Sequence, residues 1–126
     1  MKIYFLKKGI KNLNFAQSMV TWIKIFSGKD EALLRLPHGR PQLCVLHGHR
    51  IALVRFNNDF FAVQDTCTHN GESLSKGTVN HLGEIICPWH HYCFNLQTGR
   101  EMNSRSADLK VYPVKSDESG FYVGIF

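Results

Sequence analysis

The chain has 126 residues, 44% of them hydrophobic and 20% charged, which suits one globular domain with a single core. No stretch approaches the roughly 18 consecutive apolar residues of a membrane span, so no membrane role is expected. The formal net charge is +5, but basic residues do not cluster with aromatics and no recognition motif is present, so nucleic acid is not an expected partner either.

Residues 1–18 carry a short apolar run that Lys7 and Lys8 interrupt, with no small-residue cleavage site behind it. This segment is expected to be an N-terminal extension, with Phe5, Ile10, Leu13 and Phe15 available to cover a sheet edge, and the protein is expected in the cytoplasm. The body of the domain is expected from residue 19 to residue 126. TWIKIF (21–26) alternates as a strand and stops at Ser27-Gly28; DEALLRL (30–36) offers one turn of helix before LPHGRP ends it. QLCVLHG (42–48) and RIALVRF (50–56) follow around Gly48. Asn57-Asn58-Asp59 then turns the chain into FFAVQD (60–65). EIICP (84–88), YCFNL (92–96), LKVYPV (109–114) and FYVGIF (121–126) complete an all-β pattern, read as an antiparallel sandwich or small barrel.

Two loops interrupt the strands with a repeated chemistry. CTHNGESLSKG places Cys67 two residues ahead of His69, and CPWHHYCF places Cys87 three ahead of His90. Thiolate and imidazole are the strongest protein ligands for borderline and soft metals, and cysteines in a cytosolic chain are more often ligands or free thiols than disulfides. Four such ligands suit either tetrahedral zinc or an iron–sulfur cluster. Only Thr68 separates Cys67 from His69, a spacing that aims the pair apart and favours different irons. Cys44 and Cys93 lack a matching histidine, sit among apolar neighbours and read as core thiols.

From Cys67 to Gly99, and more weakly along the flanking strands from Trp22, the sequence resembles a Rieske-type [2Fe–2S] ferredoxin. The resemblance implies a Rieske-like fold with two cluster-binding loops at one end and one [2Fe–2S] cluster. Cys67 and Cys87 would then ligate one iron, and His69 and His90 the other. Neutral imidazoles in place of two thiolates raise the potential above that of all-cysteine clusters. The family's high-potential branch has extra cysteines where this chain has Glu72 and Trp89, so the loop-linking disulfide of that branch is absent. The hydroxyl residues that serve its sulfurs align with Tyr92, of the wrong length, and Phe94, which has no hydroxyl. The chain therefore resembles the soluble, low-potential branch. His91 stands where the family has glycine and reads as an unattached surface histidine. The stretch 100–109 lacks the family's closing proline and has Ser104 to Ser106 instead, which leaves the covering loop open.

The implied function is a one-electron carrier between a reductase and an oxygenase or related acceptor, with no catalytic machinery of its own. Two alternatives stand beside it: a small subunit of an assimilatory nitrite reductase, and a zinc-stabilised binding module without redox chemistry. A Cys93 nucleophile with His91 as base is disfavoured, because nothing orients the base.

Overall fold

The computed structural model describes residues 2–3 and 19–126. The expected role of Phe5, Ile10, Leu13 and Phe15 therefore lies outside the described residues. The described residues divide into two compact units, one of residues 2–3, 19–35 and 112–126 and one of residues 36–111.

The first unit is an antiparallel sheet of order β1 (Lys2–Ile3), β10 (Val114–Asp117), β11 (Gly120–Ile125) and β2 (Thr21–Phe26). Alternation along β11 buries Phe121 and Val123, and the Phe121 ring packs on Phe26 with centroids 5.5 Å apart. Helix α1 (Lys29–Arg35) packs on β2 and β11 and buries Ala32. Its Glu31 carboxylate reaches back to accept the Ser27 N–H at 2.7 Å, so one donor before the first turn finds a partner. Pro37 follows closely and prevents its continuation.

The second unit contains strands β3 (Gln42–Leu46), β4 (His49–Phe56) and β5 (Asp59–Gln64), with β9 (Val111–Tyr112) next in the sheet, where the chain passes between units. The β3–β4 turn is made by His47 and Gly48 at φ 48° and 82°, and the β4–β5 turn has Asn57 at φ 58°. These left-handed values match the twist of two-residue hairpins. A smaller sheet of order β6 (Thr78–Val79), β7 (Glu84–Ile86) and β8 (Cys93–Asn95) lies in the same unit. Gly77 lets its edge approach closely: a Cβ there would stand 2.0 Å from the Ile86 carbonyl oxygen. The two sheets share a core of Ala52, Val54, Val63, Leu74, Ile85, Phe94 and Leu96, and Cys67 and Cys87 belong to it.

The expected strands are present with small shifts at their ends, and one is broken. LKVYPV divides at Pro113 into β9 and β10, because proline has no N–H for a ladder. Cys44 and Cys93 lie in β3 and β8 as expected, but only half-buried, so neither is a full core thiol.

Candidate metal centre

Loop one runs from Thr66 to Gly77 between β5 and β6, and loop two from Cys87 to Tyr92 between β7 and β8. Both close in the same way. The Cys67 N–H donates to the Glu72 carbonyl at 2.8 Å, and the Cys87 N–H donates to the Tyr92 carbonyl at 2.8 Å. Each cysteine therefore begins a tight loop whose closing carbonyl lies five residues on. Gly71, at φ 80°, makes the reversal in loop one. In loop two the left-handed positions are His90 and His91, at φ 64° and 55°, neither of them glycine. Each such residue costs about 1–2 kcal/mol, and strain of this kind collects where a loop must aim a side chain. His91 is thus an exposed residue that adopts the turn glycine would have made.

The four sequence candidates are brought together in pairs. Cys67 and Cys87 are 1% and 0% exposed and belong to the same buried cluster. Burial pushes the Cys87 thiol up, as does contact with Cys67, while the Trp89 backbone N–H pulls it down. His69 and His90 are exposed, with ring centroids 5.3 Å apart and planes at 64°. Buried sulfurs therefore lie inside and imidazoles at the surface. Among the described residues no three His, Cys, Asp or Glu side chains converge on one point as a single ion would require. Two soft and two borderline ligands held as separate pairs fit a two-metal group better than one tetrahedral ion.

Loop one is fastened from below by Asp65, 1% exposed, a residue not singled out from the sequence. Its carboxylate accepts the Ser73 hydroxyl and the Ser75 N–H (2.8 Å), and its backbone carbonyl accepts the Leu74 N–H at 2.7 Å. The Arg50 guanidinium stands 3.5 Å from the same carboxylate.

A third loop, residues 100–108, closes against the first two. The Thr68 hydroxyl donates to the Ala107 carbonyl at 2.6 Å and lies 3.1 Å from the Ser106 hydroxyl. Arg105 places its guanidinium 3.7 Å above the Tyr92 ring, and Tyr92 stacks on His69 with centroids 3.8 Å apart and planes at 10°. Glu101 holds Arg105 in that position: Nη2 donates to Oε2 at 2.7 Å, and the backbone N–H of Arg105 donates to Oε1 at 2.7 Å. The covering loop is therefore closed without a proline, by an ion pair and a stack. From the sequence, Tyr92 stands out only as a side chain of the wrong length to donate to sulfur. The one available signal for the brace was the four-residue spacing of Glu101 and Arg105.

The Arg105 guanidinium holds the buried Glu101 carboxyl below its ordinary range. A depressed carboxylate stabilises the fold above its unfolded pKa, and that contribution is lost as pH falls through the folded value. Glu101→Gln should therefore destabilise the protein by about 1–3 kcal/mol at pH 7. The difference should shrink below about pH 4, where the unfolded carboxyl protonates. Urea denaturation of both proteins across pH 3–7 measures it; a difference independent of pH would mean that packing, not charge, holds the loop.

Residues 27–113 match the Rieske [2Fe-2S] domain family. The ferredoxin subunit of the 3-phenylpropionate/cinnamic acid dioxygenase of Photorhabdus laumondii is 36% identical over 76 residues, which span 60% of this chain and 72% of that protein. A chain from the complex of reduced oxygenase and oxidized ferredoxin in carbazole 1,9a-dioxygenase is 33% identical with a TM-score of 0.68, covering 81% of this chain and 91% of that one. A Mycobacterium tuberculosis protein assigned as an NADH-dependent nitrite reductase small subunit gives a TM-score of 0.72 at 23% identity, over 85% of this chain and 96% of that one. This last likeness concerns the fold alone.

Proposed function

The chain belongs to the Rieske [2Fe-2S] domain family, and on that premise we propose that Cys67 and Cys87 hold one iron of a single cluster and His69 and His90 the other. The observation that carries the assignment is the pairing itself: two thiols buried in one core, and two imidazoles at the surface with ring centroids 5.3 Å apart. When bound, the cluster supplies one-electron chemistry at little charge, since two thiolates and two neutral imidazoles balance its irons and sulfides. The protein's own part is to exclude water from the sulfur side, where Leu74, Ile85 and Phe94 pack around both cysteines. On the opposite side it leaves the imidazoles at the surface, where a partner can approach.

The protein works as an electron carrier that takes an electron from a reductase and passes it to an oxygenase. A 36% identical relative that is itself the ferredoxin subunit of a dioxygenase supports this partner class over the nitrite reductase reading, which has only a likeness of fold. The match to the Rieske [2Fe-2S] domain family disfavours zinc. We place the protein in the cytoplasm, where the reductase and oxygenase partners proposed here would meet it.

The test is to reduce the purified chain anaerobically and mix it with an oxygenase component loaded with its aromatic substrate. The expected result is a brown oxidised protein that bleaches on reduction, shows a rhombic EPR signal only once reduced, and is reoxidised by the oxygenase. A colourless protein carrying zinc would overturn the assignment. We also propose that residues 1–18 are an extension and 19–126 the functional body. A 19–126 variant should keep the cluster spectrum, although it loses the two-residue pairing of Lys2–Ile3 with β10. Loss of the cluster on truncation would move the boundary.

A further inference from the structure

We propose that Tyr92 and Arg105 are positioning residues that fix the His69 imidazole by a three-layer stack spanning all three loops. Imidazole and guanidinium stand 3.8 Å and 3.7 Å from the same ring, and since one space cannot hold both, they occupy opposite faces of Tyr92. The order is therefore guanidinium, phenol ring, imidazole, with one layer from each loop.

Each layer is held by backbone that has little freedom. Tyr92 is pinned at its carbonyl by the Cys87 N–H, and the left-handed His90 and His91 before it turn its side chain across to loop one. Arg105 is fixed by Glu101, whose side chain is 0% exposed and also accepts the Asn103 N–H at 3.1 Å. Residue 101 bridges to Phe94, and the Met102 N–H donates to the Cys93 carbonyl at 2.8 Å, so loop three is anchored on β8. A cation over an aromatic face and a ring stacked on it are both favourable contacts, and here they oppose the rotamer freedom that a surface histidine would otherwise keep.

His69 is exposed, unlike the buried cysteines, so the protein core cannot orient its ring. The stack replaces the core at that position. Partners that orient a ligating histidine commonly change metal affinity by about 10–100-fold when removed. The consequence for metal binding rests on His69 being a ligand, as proposed above.

The test uses the full cluster-bearing chain and two readouts besides electron transfer: the nitrogen couplings of the two imidazoles in the reduced protein by pulsed EPR, and the rate of iron release to a chelator. Tyr92→Leu should alter the coupling of one imidazole and release iron about tenfold faster. Tyr92→Phe keeps the ring and should match wild type in both. Arg105→Gln leaves Tyr92 in place and should release iron at a rate between those of wild type and Tyr92→Leu, so the inference is tested even where Tyr92→Leu does not load a cluster. Wild-type couplings and release in Tyr92→Leu, or Tyr92→Phe behaving like Tyr92→Leu, would overturn the stack. In Arg105→Gln, release at the wild-type rate would do the same. A wild-type protein without two distinct nitrogen couplings would instead sink the ligand assignment itself, so the two failures are distinguishable.

Discussion

Cys67→Ser and Cys87→Ser should each reduce iron from two per chain to near none, with metal affinity falling by more than the roughly 100-fold typical of losing an outer partner. Both sulfurs lie in the apolar core, at 1% and 0% exposure, where a serine hydroxyl would have to lose a proton in a medium that penalises charge. Oxygen is also the harder donor, less suited to iron–sulfur chemistry than thiolate. His69→Ala and His90→Ala should abolish the Rieske spectrum while leaving the β-sheet signal, because both rings are exposed and contribute little to the core. Cys44→Ser and Cys93→Ser are the controls. Cys93 is half-buried six residues after Cys87, and its thiol donates to the His91 carbonyl at 3.5 Å, an arrangement that serine can imitate. Iron analysis and absorption spectra of the six variants suffice. A Cys93→Ser protein without iron, beside a Cys67→Ser protein that retains it, would require a different ligand set.

The strands were legible because their signals are local. Asn57-Asn58 between alternating apolar runs specifies its hairpin without reference to the rest of the chain, and β4 and β5 form there with Phe56 opposite Asp59. The four candidate ligands were legible for a related reason: cysteine and histidine at short spacing carry their chemistry in their identity. Thr78–Val79 was missed as a strand because two residues are too few to show a period, and only pairing with β7 defines it. The closure of the covering loop was not legible for another reason. A proline can be seen as missing from a sequence, whereas the contact of Arg105 with Tyr92 joins residues 13 positions apart and exists only once three loops have closed. Asp65 was overlooked similarly, since an aspartate before a loop reads as a turn residue until Ser73 and Ser75 are seen to converge on it.

The reduction potential should fall near the low end of the Rieske range, about −150 mV rather than about +300 mV. Hydrogen bonds to sulfur stabilise the reduced, more negative state, so each missing donor lowers the potential. Phe94 is 0% exposed and packs in the same cluster as Cys67 and Cys87, and its ring carries no hydroxyl to donate. Tyr92 commits its ring to His69. The Trp89 backbone N–H remains as a donor to Cys87, so the sulfurs are not wholly without partners. Restoring one donor gives the sharper test. A net hydrogen bond of about 1 kcal/mol corresponds to about 40 mV for one electron, given the ~59 mV that accompany a tenfold change in equilibrium. Phe94→Tyr should therefore raise the midpoint by about 40 mV if its hydroxyl reaches a sulfur. Protein-film voltammetry on wild type and variant, with iron content confirming that both are loaded, measures the shift. A wild-type midpoint above about +100 mV, well up the known range, would show that backbone donors alone can set a high potential in this loop geometry. An unchanged midpoint in a fully loaded Phe94→Tyr protein would place the missing hydroxyl elsewhere than position 94.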